Sequence, residues 1–114
     1  LIILGLGAND MLRGIQPPET EKNLEEIINI AIKKQIKIVI AGMIAPTSHG
    51  ITYKKQFDAI YPKLSKKYNL PLIPFLLEGV ALDPNLNLQD GIHPNKEGTI
   101  IISETLQKII NEHL

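Results

Sequence analysis

Three apolar runs constrain this chain more than anything else in it: Leu1–Leu6, the β-branched stretch Ile36–Met43, and Leu72–Phe75. A strand that faces water on one side alternates apolar and polar residues. A run that stays apolar is covered on both faces, which is the pattern of a parallel sheet between layers of helix. Between the runs the periodicity changes. From about Glu19 to Lys34, Leu24, Ile27, Ile28 and Ala31 recur at helical spacing, and Tyr53, Phe57, Ile60, Tyr61 and Leu64 mark a second helix that stops before Asn69 and Pro71. Asn95 is placed to cap a last helix with Ile102, Leu106, Ile109 and Ile110 on its apolar face. The order strand, helix, strand, helix, strand, loop, helix predicts an α/β fold with right-handed crossovers and helices on both faces of the sheet. Leu1–Leu6 is expected to be a central strand. Leu72–Phe75, with Pro74 inside it, is expected at an edge, and Gly7–Pro18 and Leu76–Ile92 are expected to be loops.

A chain of 114 residues is one domain or part of one. Its formal charge is zero and only 4% of its residues are aromatic, which argues against a nucleic-acid surface, where basic stripes and stacking platforms are needed. With no cysteine, thiol catalysis, disulfide scaffolds and zinc ribbons are excluded. No apolar run approaches the ~20 residues that span a bilayer, and any signal peptide would lie in sequence preceding Leu1.

Two short blocks carry chemistry. Asp90-Gly91-Ile92-His93-Pro94-Asn95 sets a carboxylate and an imidazole three residues apart, just before a helix. Imidazole titrates near ~6.5, so His93 is suited to take and return a proton, and a carboxylate on its other ring nitrogen would fix the tautomer. Asp90 could equally bond its own loop backbone or cap the helix. Upstream, Gly7-Ala8-Asn9-Asp10 follows the first apolar run and puts an amide donor at the carboxyl end of a strand, where open α/β sheets bind ligands. Asn9 could also be ordinary turn chemistry.

Taken in order, Asn9-Asp10, Leu12-Arg13-Gly14, Gln16-Pro17, Tyr61-Pro62-Lys63-Leu64, Pro71–Phe75 and Asp90–Asn95 resemble the SGNH subgroup of the GDSL esterases and lipases, in its thioesterase I, arylesterase and lysophospholipase branch. The resemblance covers essentially the whole chain. It implies a flavodoxin-like SGNH hydrolase sandwich and hydrolysis of acyl esters or thioesters, with His93 as base, Asp90 as its orienting acid and Asn9 as an oxyanion donor. Gly7, Ala8, Pro46 and Ile92 are implied as substrate-binding residues. No cofactor or metal is implied, and a periplasmic or secreted location is. Ala8 stands where that branch often has a second Gly. The family's nucleophilic Ser, in a Gly-Asp-Ser block, has no counterpart here, so residues 1–114 are expected to be the carboxyl-terminal portion of one such domain and inactive alone. The edge beside Leu1–Leu6 is then expected to be covered by a separate amino-terminal segment or by a second copy of the chain.

Asp10 is expected to be structural, bonding loop backbone N–H groups. Ser48-His49 pairs a hydroxyl with an imidazole, but adjacent loop side chains seldom converge, and nothing around Ser48 resembles a nucleophile elbow; this loop is expected at the rim of a cleft. His113 falls where a cation complements a helix end. Two other classes fit the residues. One is a metal site drawing on Asp10, His49, Asp90 and His93, although these lack paired spacing. The other is a noncatalytic binding or assembly domain on the same fold.

Overall fold

The computed structural model describes residues 1–113, which divide into two compact units, Leu1–Phe75 and the segment from Leu76 onward.

The first unit is a three-stranded parallel sheet with its crossover helices. Strands β1 (Ile2–Leu4), β2 (Ile38–Ala41) and β3 (Leu72–Ile73) lie in the order β1-β2-β3. Ile2 is in register with Ile38 and Leu4 with Ile40; Ile40 pairs in turn with Leu72. Helix α2 (Pro17–Lys33) joins β1 to β2, and α3 (Ile51–Tyr68) joins β2 to β3. Two crossovers of the same hand that step in the same direction must leave their helices on one face. The core shows this. Leu24, Ile28 and Ala31 of α2 and Phe57, Ile60, Tyr61 and Leu64 of α3 close over Leu4, Ile38 and Ile40. Burying a side chain such as Ile28 or Phe57, both fully enclosed, contributes ~1.5–3 kcal/mol.

The α/β class and the parallel sheet follow the sequence expectation, with three corrections. Leu1–Leu6 is not a central strand in this sheet: β1 is at one edge, Leu1 and Leu6 are 52% and 55% exposed, and β2 is the central, fully buried strand. Apolarity on both sides of a strand reports cover from the layers above and below, and is silent about neighbours in the hydrogen-bonding direction. Second, β3 is at the edge as expected but ends at Ile73, because Pro74 has no N–H to continue the ladder. Third, the Gly7–Pro18 segment is not all loop. Ala8–Leu12 forms a short helix, α1, and α2 begins at Pro17 rather than Glu19. Proline is well suited to a first helical position, where its fixed φ helps and its missing N–H has no partner to lose.

In the second unit, the segment before Asn95 is built from turns and an isolated antiparallel bridge between Asn87 and Pro94. Helix α4 (Lys96–His113) follows, and Asn95 caps it as expected, its Oδ1 accepting the Gly98 N–H at 3.0 Å. Ile102, Leu106, Ile109 and Ile110 of α4 are half-buried. His113 lies in its last turn.

Candidate active site

Asp90 and His93 meet. Asp90 Oδ2 lies 2.6 Å from His93 Nδ1, while Oδ1 accepts the backbone N–H groups of Ile92 at 2.9 Å and His93 at 3.0 Å. Asp90 therefore meets the imidazole with one oxygen and binds its own backbone with the other. Three hydrogen bonds to the charged form hold the Asp90 carboxyl well below its ordinary 3.8, at about 2; the His93 backbone N–H acts most, then the His93 ring, then the Ile92 N–H. The His93 side chain is 71% exposed and that of Asp90 44%. With Nδ1 engaged by the carboxylate, Nε2 is the nitrogen left to exchange a proton with a reacting group.

A depressed folded-state pKa means that the loop stabilisation from this carboxylate is fully present above about 3.8 and is lost as pH falls through about 2. A carbon-detected NMR titration of the Asp90 carboxyl is expected to show a midpoint near 2, and Asp90→Asn to remove it. A midpoint at the ordinary value would mean that the three bonds do not persist in solution.

The loop carrying this pair is held by Asn95, expected only as a helix cap, and by residues that the sequence did not single out, Asn87 and Gly98 among them. Leu88 N–H donates to the His93 carbonyl at 2.8 Å and Asn95 N–H to the Leu86 carbonyl at 2.9 Å, so residues 86–95 fold back on themselves. The buried Asn87 amide secures one arm, donating to the carbonyls of Val80 at 2.8 Å and Asp83 at 2.9 Å. Asn95 Nδ2 holds the Asn85 carbonyl at 2.8 Å. Gly98 lets α4 approach this arm, since a Cβ there would sit 2.2 Å from the Leu86 carbonyl oxygen. The density of Asn in Asn85–Asn95 was the available signal, though Asn is equally common in plain turns.

Gly7, Ala8 and Asn9 lie at the carboxyl end of β1 in the first unit. Gly7 adopts φ +120°, open to few residues but glycine, and a Cβ on it would fall 2.1 Å from the Tyr61 hydroxyl. That hydroxyl donates to the Leu6 carbonyl at 2.9 Å, and burial pushes the Tyr61 phenol well up, so it remains a donor. Asn9 is exposed in the first turn of α1. Asp10 is structural, but its partner is a hydroxyl rather than loop N–H groups: the buried Thr20 Oγ1 donates to Asp10 Oδ2 at 2.8 Å. Gly7, Ala8, Asn9, Asp10 and Thr20 contribute to the wall of a cleft of about 330 Å³. Tyr61 was legible as a residue of a helix's apolar face and of the block Tyr61–Leu64, but nothing in the sequence ties its hydroxyl, or that of Thr20, to this turn.

Pro46 follows β2 and is exposed; Ile92 is exposed beside His93. Ser48 and His49 form a short 3-10 turn, Thr47–His49, in which the His49 ring packs against Tyr53 at a centroid distance of 5.1 Å. Its Cε1 would lie 3.3 Å from a Cβ at Gly14. Among the described residues no group of three or more His, Asp and Glu side chains is arranged to hold a metal ion. No described helix is long and apolar enough to cross a membrane.

The described elements are a parallel α/β sheet with Asn9 after its first strand and, further along the chain, an Asp-His pair ahead of the last helix. The chain belongs to the GDSL-like lipase/acylhydrolase family, whose sequence profile matches residues 1–99. It is 37% identical over 107 residues to thioesterase 1/protease 1/lysophospholipase L1 of Escherichia coli strain K12, covering 94% of this chain and 51% of that protein. To the arylesterase of Vibrio mimicus it is 34% identical over 114 residues, covering all of this chain and 57% of the relative. The chain thus spans about half the length of the curated relatives it matches. Among solved structures, all of it superimposes on a crystal structure of TesA with a TM-score of 0.92 at 29% identity, covering 63% of that chain. It also superimposes on AlinE4, an SGNH-hydrolase family esterase, with a TM-score of 0.77 at 39% identity, covering 61%. The SGNH-hydrolase fold class is therefore that of this protein.

Proposed function

We propose that the complete protein is a serine hydrolase of acyl esters or thioesters, and that residues 1–114 are the carboxyl-terminal portion of its single catalytic domain. The observation that carries this reading is the 2.6 Å bond between Asp90 Oδ2 and His93 Nδ1, with Oδ1 held separately by two backbone amides. Fixed in this way, the carboxylate accepts the Nδ1 proton and leaves Nε2 unprotonated, the form a general base requires. The nucleophile is a serine from sequence outside these residues. His93 Nε2 takes the serine proton as the hydroxyl attacks the acyl carbon, and returns it to the departing alcohol or thiol as the tetrahedral intermediate collapses. Asp90 stabilises the imidazolium formed between those steps. Asn9 donates its amide to the oxyanion, and its exposure in the first turn of α1 leaves that donor accessible. Gly7, Ala8, Pro46 and Ile92 contact the acyl or leaving group. The thioesterase, lysophospholipase and arylesterase relatives support acyl esters and thioesters as the substrate class.

The test compares p-nitrophenyl butyrate turnover by the complete protein and by residues 1–114 alone, with a fluorophosphonate label in parallel. Saturable, label-sensitive turnover is expected of the complete protein and none of the 114 residues. Label-sensitive turnover by the 114 residues would place the nucleophile within them. No turnover by the complete protein would overturn the hydrolase reading. In the active protein, Asn9→Ala is expected to cost about 2.7–4 kcal/mol of transition-state stabilisation, read as a fall in kcat with little change in KM.

A further inference from the structure

The segment Met43–Pro46 follows β2 without forming a strand or helix, yet Ala45 is buried. A buried backbone N–H and C=O outside regular structure each need a partner. Both partners come from one turn of α3. Asp58 Oδ1 accepts the Ala45 N–H at 2.7 Å, Lys54 Nζ donates to the Ala45 carbonyl at 2.8 Å, and Lys54 Nζ and Asp58 Oδ2 pair at 2.6 Å. The two side chains do for Ala45 what a neighbouring strand would do. An i, i+4 ion pair is itself worth little to a helix, so the significance of this pair lies in the residue it grips.

That residue is a pivot between two apolar side chains turned toward solvent, Ile44, 44% exposed, and Pro46. Because β1 and β2 are parallel, this segment leaves the sheet at the same end as Gly7–Asn9, the end at which open α/β sheets receive ligands. The same part of α3 also fixes the chain after α1, since Tyr53, next to Lys54, donates to the Ile15 carbonyl at 2.7 Å.

We infer that Lys54 and Asp58 are positioning residues for acyl-chain selection, clamping Ala45 so that Ile44 and Pro46 form a fixed apolar wall for the acyl group. This rests on the ester-hydrolase reading above. Loss of the clamp frees Ile44 and Pro46 to move, which penalises a long acyl chain that lies along the wall and leaves an acetyl group nearly indifferent. Simple loss of folded protein would lower turnover of both substrates by the same factor. The ratio of kcat/KM for octanoyl and acetyl p-nitrophenyl esters therefore separates positioning from stability.

The experiment measures that ratio in the complete protein for wild type, Asp58→Ala, Lys54→Met and Asp58→Asn, well below each melting temperature. Asp58→Ala and Lys54→Met are expected to lower it by about tenfold or more, the lower range of what one methylene contact is worth in an apolar pocket. Asp58→Asn keeps an oxygen acceptor for the Ala45 N–H and is expected to stay near the wild-type ratio. If Asp58→Ala fails to fold, Lys54→Met decides. A wild-type or raised ratio in the foldable clamp variants overturns the inference while leaving the hydrolase reading intact. Absence of ester hydrolysis by the wild type overturns both.

Discussion

Replacing His93 with Ala in the complete protein is expected to reduce acyl transfer by up to about 10⁶-fold, the largest effect of any single substitution in this chain. In the proposed mechanism, loss of the imidazole leaves nothing to take the proton of the attacking hydroxyl or deliver one to the leaving group, and both halves of the reaction fail together. KM for a soluble ester should change little. The His93 side chain is mostly exposed and its contacts run to Asp90 and the loop backbone, so its removal deletes a proton carrier rather than a packing element. The melting temperature should stay close to that of the wild type. Steady-state kinetics with p-nitrophenyl butyrate, together with a thermal melt, provide the check; wild-type kcat with unchanged KM would assign the base elsewhere.

Asp90→Asn is expected to lower kcat by about 10⁴-fold through the wrong tautomer. Asn keeps an oxygen that can accept the N–H groups of Ile92 and His93, so the loop retains its local bonds. The atom facing His93 Nδ1 would then be an amide nitrogen, which donates. His93 must answer with an unprotonated Nδ1 and carry its proton on Nε2, where it cannot act as a base. A pH–rate profile separates this from simple weakening. As a tautomer effect, the loss of rate should persist on the plateau above the titration of the imidazole. A variant that recovers full activity at high pH would show that Asp90 acts only by stabilising the imidazolium.

The contact between Asp90 and His93 was legible because the two lie in one short contiguous block, three positions apart. Helices α2, α3 and α4 were legible from periodicity, and the parallel sheet from apolar runs without alternation. Other features depended on residues far apart in the chain. Tyr61 sits 55 residues from the Leu6 carbonyl it holds, and Thr20 reaches back ten residues to Asp10. Lys54 and Asp58 stand four residues apart on α3, and only the fold brings Ala45 between them.

The sequence by itself determined the α/β class, the identities of the strands and the long helices, and which side chains, His93, Asp90 and Asn9, are proposed to exchange protons and donate to an oxyanion. These follow from local periodicity and side-chain chemistry, which a linear string records in full. The tertiary structure decided the rest: the order β1-β2-β3 among the described strands, that α1 exists, and that a buried tyrosine and a glycine with positive φ shape the turn before Asn9. It also decided that Asp90 divides its two oxygens between its own backbone and His93. The reason is physical. Strand order and the partner of a buried polar group are set by which distant segments close-pack and satisfy one another, and such pairings leave no periodic trace in either segment alone.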